Sequence, residues 1–234
     1  MKHSLLCAAL FAGLFIALAD AAAVEIAMGD TTIEAVAPTG YCPLDASDWP
    51  DIQPIDFTSD GIKRQGERLA YFVQCEQARS WHKGDGSKDP GEAVDYQASL
   101  NFRGQDVTSA MLKELCDTLR KGDDSSKGWL DIFLRAFKGA MKGRYGGEED
   151  TTLAFVVFGH ENTGCYVFSS SMTKNREQLY TVSALTPIKS RLVAVHRSKR
   201  FGAMDLVKGS AEDVIKHLLT ASRETATALI AANP

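Results

Sequence analysis

Between Thr151 and Arg200 the chain repeats one pattern, an apolar or alternating run followed by a short polar connector. The runs are Leu153–Phe158, Cys165–Ser169, Leu179–Thr186 and Leu192–His196. Their aromatic and β-branched content, bounded by Gly, Asn, Pro and Ser, is the signal of strands. The connectors Glu161–Gly164, Thr173–Glu177 and Pro187–Ser190 are too short to hold a crossover helix, so neighbouring strands must run antiparallel. The stretch is therefore expected to fold as a four-stranded antiparallel meander. Within it, Leu153–Phe158 is apolar at every position, which predicts a strand buried on both faces near the centre of the sheet.

Upstream, Val24–Met28 and Thr31–Val36 flank Gly29-Asp30, the pattern of a tight hairpin. Pro38 to Pro43 interrupts regular structure, and Leu44 to Asp60 reads as a long loop. From Gly61 to Trp81, Ile62, Leu69, Phe72 and Val73 share one helical face, with Lys63, Arg64, Glu67 and Arg68 available to the other, so this segment is expected to be a helix. Glu92 to Arg103 alternates, with Val94, Tyr96, Ala98 and Leu100 over Asp95, Gln97, Ser99 and Asn101, which predicts a strand with one wet face. Helical spacing returns over Gln105–Lys121, over Trp129–Met141, and in a final helix, Ala211–Ala231, expected to lie across the sheet. Together these elements predict an α+β fold, one domain over residues 24–234. Its antiparallel sheet is built from the N-terminal hairpin, one middle strand and the meander, and is packed by helices.

The N-terminus carries an address. Met1-Lys2-His3 is a short positive region and Leu5–Leu18 an uncharged apolar one. Ala17-Leu18-Ala19, Ala19-Asp20-Ala21 and Ala21-Ala22-Ala23 offer small-x-small cleavage patterns. Residues 1–23 therefore read as a secretory signal, with the mature protein periplasmic or secreted. Export into an oxidising compartment favours pairing of the remaining cysteines, Cys42, Cys75, Cys116 and Cys165. Of the three pairings, Cys42 with Cys75 and Cys116 with Cys165 is favoured, because each bridge then ties a helix to a loop or strand.

Composition argues against nucleic acid as a partner, since the net charge of -4 provides no sequence-wide basic surface to displace phosphate counterions. Motifs for catalysis, cofactors and metals are absent from the sequence. No glycines flank Ser169-Ser170-Ser171 as in a nucleophile elbow, and Gly164 stands where the second His of H-E-x-x-H would follow His160-Glu161. What remains is a basic cluster, Lys189, Arg191, His196, Arg197, Lys199 and Arg200, on or beside the last strand. As residues of an edge strand, these charges would chiefly block sheet-to-sheet association. The alternative is that they bind an envelope protein or an anionic envelope component.

The order hairpin, helix, strand, helices, meander and final helix resembles the Mog1/PsbP/DcrB-like group of α+β sandwich domains. The residues that carry the resemblance are Ala37-Pro38-Thr39-Gly40-Tyr41 after the opening strand pair and the succession Thr181–Thr186, Arg191–Arg197 and the helix ending at Ala232-Asn233. Gly40-Tyr41-Cys42, with the second cysteine Cys75, is also similar to a turn in exported bacterial proteins that have no characterised function. The resemblance implies an accessory or binding role rather than catalysis, and it carries no catalytic motif onto these residues. An exported, non-enzymatic accessory or binding protein is the leading expectation. The competitors are a hydrolase assembled in space around His160, Ser169 or His196, and a carrier of lipid or another small ligand in a cavity between sheet and helices.

Overall fold

A computed structural model describes residues 22–44, 56–59, 62–82, 91–99, 105–121, 152–172, 178–201 and 211–234. The elements are, in chain order, β1 (Ala23–Met28), β2 (Thr31–Val36), β3 (Tyr41–Pro43), β4 (Asp56–Ser59), β5 (Ile62–Gln74), α1 (Cys75–His82) and β6 (Glu92–Ser99). They continue as α2 (Ser109–Lys121), β7 (Thr152–Glu161), β8 (Gly164–Met172), β9 (Gln178–Ile188), β10 (Arg191–Phe201) and α3 (Ala211–Ala232). The mixed α and β content with antiparallel sheets agrees with the expected class. The expected signal lies outside the described residues up to position 21, as do the segment 122–151 with its expected helix, the stretch 45–55 and the connector 173–177.

Short connectors act as predicted: β7, β8, β9 and β10 pair in succession, each antiparallel to the last. The β9–β10 connection shrinks to Lys189-Ser190, with φ of 47° and 63°. Positive φ at both central residues gives the turn whose twist matches a hairpin. β1 and β2 also form their predicted hairpin, from Ala23↔Val36 to Met28↔Thr31, but as a separate two-stranded sheet. Its structure begins before the expected boundary at Val24, because Ala22 accepts the Ala37 amide proton at 2.7 Å.

The main sheet has the order β3-β5-β6-β10-β9-β8-β7, with β4 pairing along the earlier part of β5. Four expectations change here. Residues 62–74 are a strand, and helix starts only at Cys75; the continuous run Leu69-Ala70-Tyr71-Phe72-Val73 fills both faces of a sheet position, which outweighs the helical spacing of a few of its members. The region 41–59 contains two short strands, β3 and β4, in addition to loop. β7 lies at one end of the sheet, not at its centre, and Val156 is 48% exposed. Conversely, β10 is held between β6 and β9, so the basic residues do not line a sheet edge.

Both faces of the sheet are covered. On one, Ala70, Phe72, Val94, Tyr96, Phe168, Val182 and Val195 pack with Leu218, Ala226 and Leu229 of α3 and with Ile26, Met28 and Ile33 of the hairpin. On the other, Val167, Leu185 and Leu192 pack with Leu112 and Leu115 of α2, while Val73 and Ala93 pack with Ala78 of α1. The expected wet face of β6 is therefore buried at Ala93 and Asp95. Thr108 Oγ1 accepts the Met111 amide proton at 3.2 Å and caps α2, which starts at Ser109, later than the spacing suggested.

Two covalent ties and one hydrogen-bonded clip fix these layers. Cys42–Cys75 joins β3 to the start of α1, and Cys116–Cys165 joins α2 to β8, the favoured pairing in both cases. Asn233 accepts from the Glu34 amide at 2.8 Å and donates to the Glu34 and Leu229 carbonyls at 2.9 and 2.8 Å, closing the outer side of β2 with the end of the α3 segment. We predict that peptide mapping under non-reducing conditions recovers these two disulfides, and that replacing Cys116 and Cys165 together by Ala lowers unfolding free energy by about 2–4 kcal/mol. A stability unchanged in urea titration would show that the second bridge does not constrain the chain.

Candidate functional site

The basic residues of β10 alternate between the two sheet faces, and their roles divide accordingly. At its start, Arg191 is buried and donates from Nη2 to Asp30 at 2.7 Å and from Nη1 to Asp106 at 2.8 Å. The hydrogen bond from Arg191, followed by a backbone bond at Asp30 itself and the Arg191 charge, holds the Asp30 carboxyl below the usual carboxylate range. Lys189, in the turn, donates to the Thr32 carbonyl at 3.1 Å, and the Val107 amide donates to Ser190 O at 2.8 Å. The tip of the β9–β10 hairpin thus joins the β1–β2 hairpin to the lead into α2.

Arg197 faces α3. Its Nη2 donates to Glu92 Oε1 at 2.7 Å, with both side chains buried, and its guanidinium carbon lies 4.8 Å from the centre of the Tyr41 ring. Glu92 Oε2 also meets Nε2 of His217 on α3, at 3.1 Å. One carboxylate therefore bridges β6, β10 and α3, with β3 stacked beneath through Tyr41. Arg197 Nε and Nη1 are buried without hydrogen-bond partners. Burial disfavours the phenolate and pushes the Tyr41 hydroxyl up to about 12, with the positive Arg197 opposing the shift. Tyr96, bonded to the Val36 carbonyl at 2.8 Å, and Tyr166 are raised for the same leading reason.

On the opposite face, the strand registers place Tyr71, Asp95, His196 and Ser183 at one level across β5, β6, β10 and β9. Ser183 Oγ and His196 Nδ1 are 2.7 Å apart, and Gln97 Nε2 donates to Asp95 Oδ2 at 2.7 Å. One level along, Thr181 and Ser198 hydroxyls meet at 3.0 Å, while Ser169 Oγ is buried without a partner. Hydroxyl, imidazole and carboxylate in this succession are the parts of a nucleophile, a base and an orienting acid. Ser183 is 0% exposed and Asp95 1%, however, so in this conformation a substrate carbonyl cannot reach the hydroxyl.

The residues around which a hydrolase was expected do not converge. His160 pairs with Cys165 on β7–β8, Ser169 with Thr181 on β8–β9, and His196 bonds to Ser183. Sequence reading missed Ser183 and Asp95, since two such side chains on distant strands become neighbours only through register. Lys199 and Arg200 close the basic cluster as half-buried residues near Gly91, whose carbonyl accepts the Arg200 amide proton at 3.1 Å. Among the described residues no three His, Cys, Asp or Glu side chains gather as a metal-ligand set, and no helix is long and apolar enough to cross a membrane.

The remaining feature is the end strand β7. It pairs with β8 alone among the described strands, and register shifts between Thr152 and Ala154 and between Val157 and Gly159 bound its regular part. Val156 is uncovered there, while Val157 packs against the α2 cluster and Phe158 against the α3 side. Beyond the second shift, Glu161 is held by Arg223 of α3, whose Nε lies 2.8 Å from Oε2. No protein-family model matches this chain, and comparison with curated proteins finds no similar sequence.

Two measurements test these networks. Glu92→Ala leaves a buried guanidinium without its counter-charge and is predicted to cost about 3–5 kcal/mol in urea titration; a loss under about 1 kcal/mol would mean that water reaches Arg197. In the unfolded chain tyrosines ionise near pH 10, whereas Tyr41 keeps its proton to about 12. Stability present below pH 10 is therefore predicted to fall as pH rises through that window, and Tyr41→Phe to lessen the fall. An alkaline profile identical in the variant would remove Tyr41 from the explanation.

Proposed function

We propose that this protein is an exported accessory protein that acts by binding another protein along the outer edge of β7. The observation that carries this reading is the combination at β7 of an apolar run, Leu153–Phe158, a position at the end of the main sheet, and an uncovered Val156. An end strand offers backbone N–H and C=O groups for pairing, and natural proteins usually blunt such strands with charge or proline. The regular part of β7 has neither: Ala154, Phe155, Val156 and Val157 follow one another. Two disulfides accord with an oxidising compartment, and the resemblance to accessory domains points the same way.

Binding is preferred to hydrolysis because the hydroxyl–imidazole pair seen among the described residues, Ser183 with His196, is enclosed within the packed face of the sheet. It is preferred to an anionic headgroup at the basic cluster because Arg191, His196 and Arg197 are buried and bonded within the chain. A photoreactive benzoylphenylalanine at position 156, introduced in the producing cell, is expected to form a discrete covalent adduct with an envelope protein. The same group at the exposed Glu224 of α3 is not. Equal labelling at both positions, or none at 156, would remove β7 as the binding surface.

A further inference from the structure

We infer that the occupant of the β7 edge is a short extended segment of a different protein, added as a strand, and not a second copy of this chain. The inference rests on the binding role proposed for β7 and specifies its mode. The two register shifts leave Ala154–Val157 as the regular stretch between them. At about 3.3 Å per residue such a stretch supports a ladder only about 13 Å long. Two copies meeting along it would bury much less than the roughly 1,200 Å² at the lower end of stable interfaces. A slender peptide suits the edge better, because it can pair with the backbone while its flanking residues reach over both faces of the sheet. Val156, uncovered on the α3 side, calls for an apolar residue beside it, and β-branched or aromatic residues at alternate positions satisfy both requirements. Beyond the second shift, the Glu161–Arg223 pair already satisfies its own charges and adds no demand for a charged partner residue.

The test uses the full mature protein and two synthetic peptides. One alternates Val and Thr between lysine pairs; its twin has the same sequence with every backbone nitrogen of the Val/Thr stretch methylated, so that neither of its edges can donate to β7. Amide hydrogen exchange of β7 is expected to slow about tenfold at Ala154–Val157 with the first peptide and to remain unchanged with the second. Val156→Lys, a surface change with the fold checked by circular dichroism, is expected to abolish the protection, and sedimentation should show a monomer throughout. Equal protection by both peptides would replace strand pairing with plain apolar adhesion. Protection in neither peptide would overturn strand addition, and a concentration-dependent dimer protected at β7 without peptide would make a second copy the occupant. A photoadduct at position 156 combined with no peptide protection would leave the binding role standing and remove only the strand-addition mode.

Discussion

β10 lies between two antiparallel neighbours, and the rest of the molecule answers that constraint. With both edges paired and both faces of the sheet covered by other elements, each polar side chain that β10 buries needs a partner inside the structure. Three of its polar residues, Arg191, His196 and Arg197, are buried. Asp30 and Asp106 converge on the first, Ser183 meets the second and Glu92 the third. These partners come from the hairpin turn, the lead into α2, β9 and β6. The strand's polar residues therefore specify how the layers dock as well as how the sheet is ordered. Replacing one partner leaves a buried charge, which is why the Arg197–Glu92 pair has large leverage although ion pairs as such contribute little net stability.

The same architecture shows how differently the sheet's margins are treated. At one end, β3 and β4 share the long β5, and Cys42–Cys75 ties β3 to the helix that follows β5. The small sheet is closed by Asn233, whose side-chain amide imitates a neighbouring strand at Glu34. β7, at the other end, is supported beneath by α2 and anchored beyond Gly159 by Glu161 and Arg223, but Val156 remains uncovered. Glycine is needed at position 164, after the β7–β8 turn, because a Cβ there would overlap the Leu185 carbonyl oxygen of β9 and its φ of 153° lies where L side chains are strained. An end strand anchored at Glu161 yet left partly bare at Val156 is the feature on which the proposed strand addition rests.

Legibility of the fold followed the range of the forces involved. The meander, the opening hairpin and α3 were readable because turns, apolar periodicity and helix spacing act over a few residues; the two disulfides span 33 and 49 residues, and their pairing followed from which elements each bridge would tie together. β5 was misread because its apolar residues satisfy a helical spacing and a strand run together, and only pairing with β6 decides between them. Leu153–Phe158 was misplaced for a related reason: a continuous apolar run says that both faces are favourable to burial, not that both are buried. The candidate site was the least legible part. Asp95 and Ser183 lie at ordinary alternating positions, and nothing local connects either with His196.

By itself, then, the amino-acid sequence determined the antiparallel class, the meander, the hairpin, the terminal helix and a favoured cysteine pairing. All but the cysteine pairing depend on chain connectivity and local backbone preference. Tertiary structure alone decided which strand became central and which became the end. That choice sets the fate of Arg191, His196 and Arg197, buried as internal partners on β10, and of the apolar run, part-exposed on β7. The physical reason is that strand order is fixed by hydrogen bonds and side-chain contacts between distant segments, β6 with β10 above all, and such pairings leave no periodic mark on either segment.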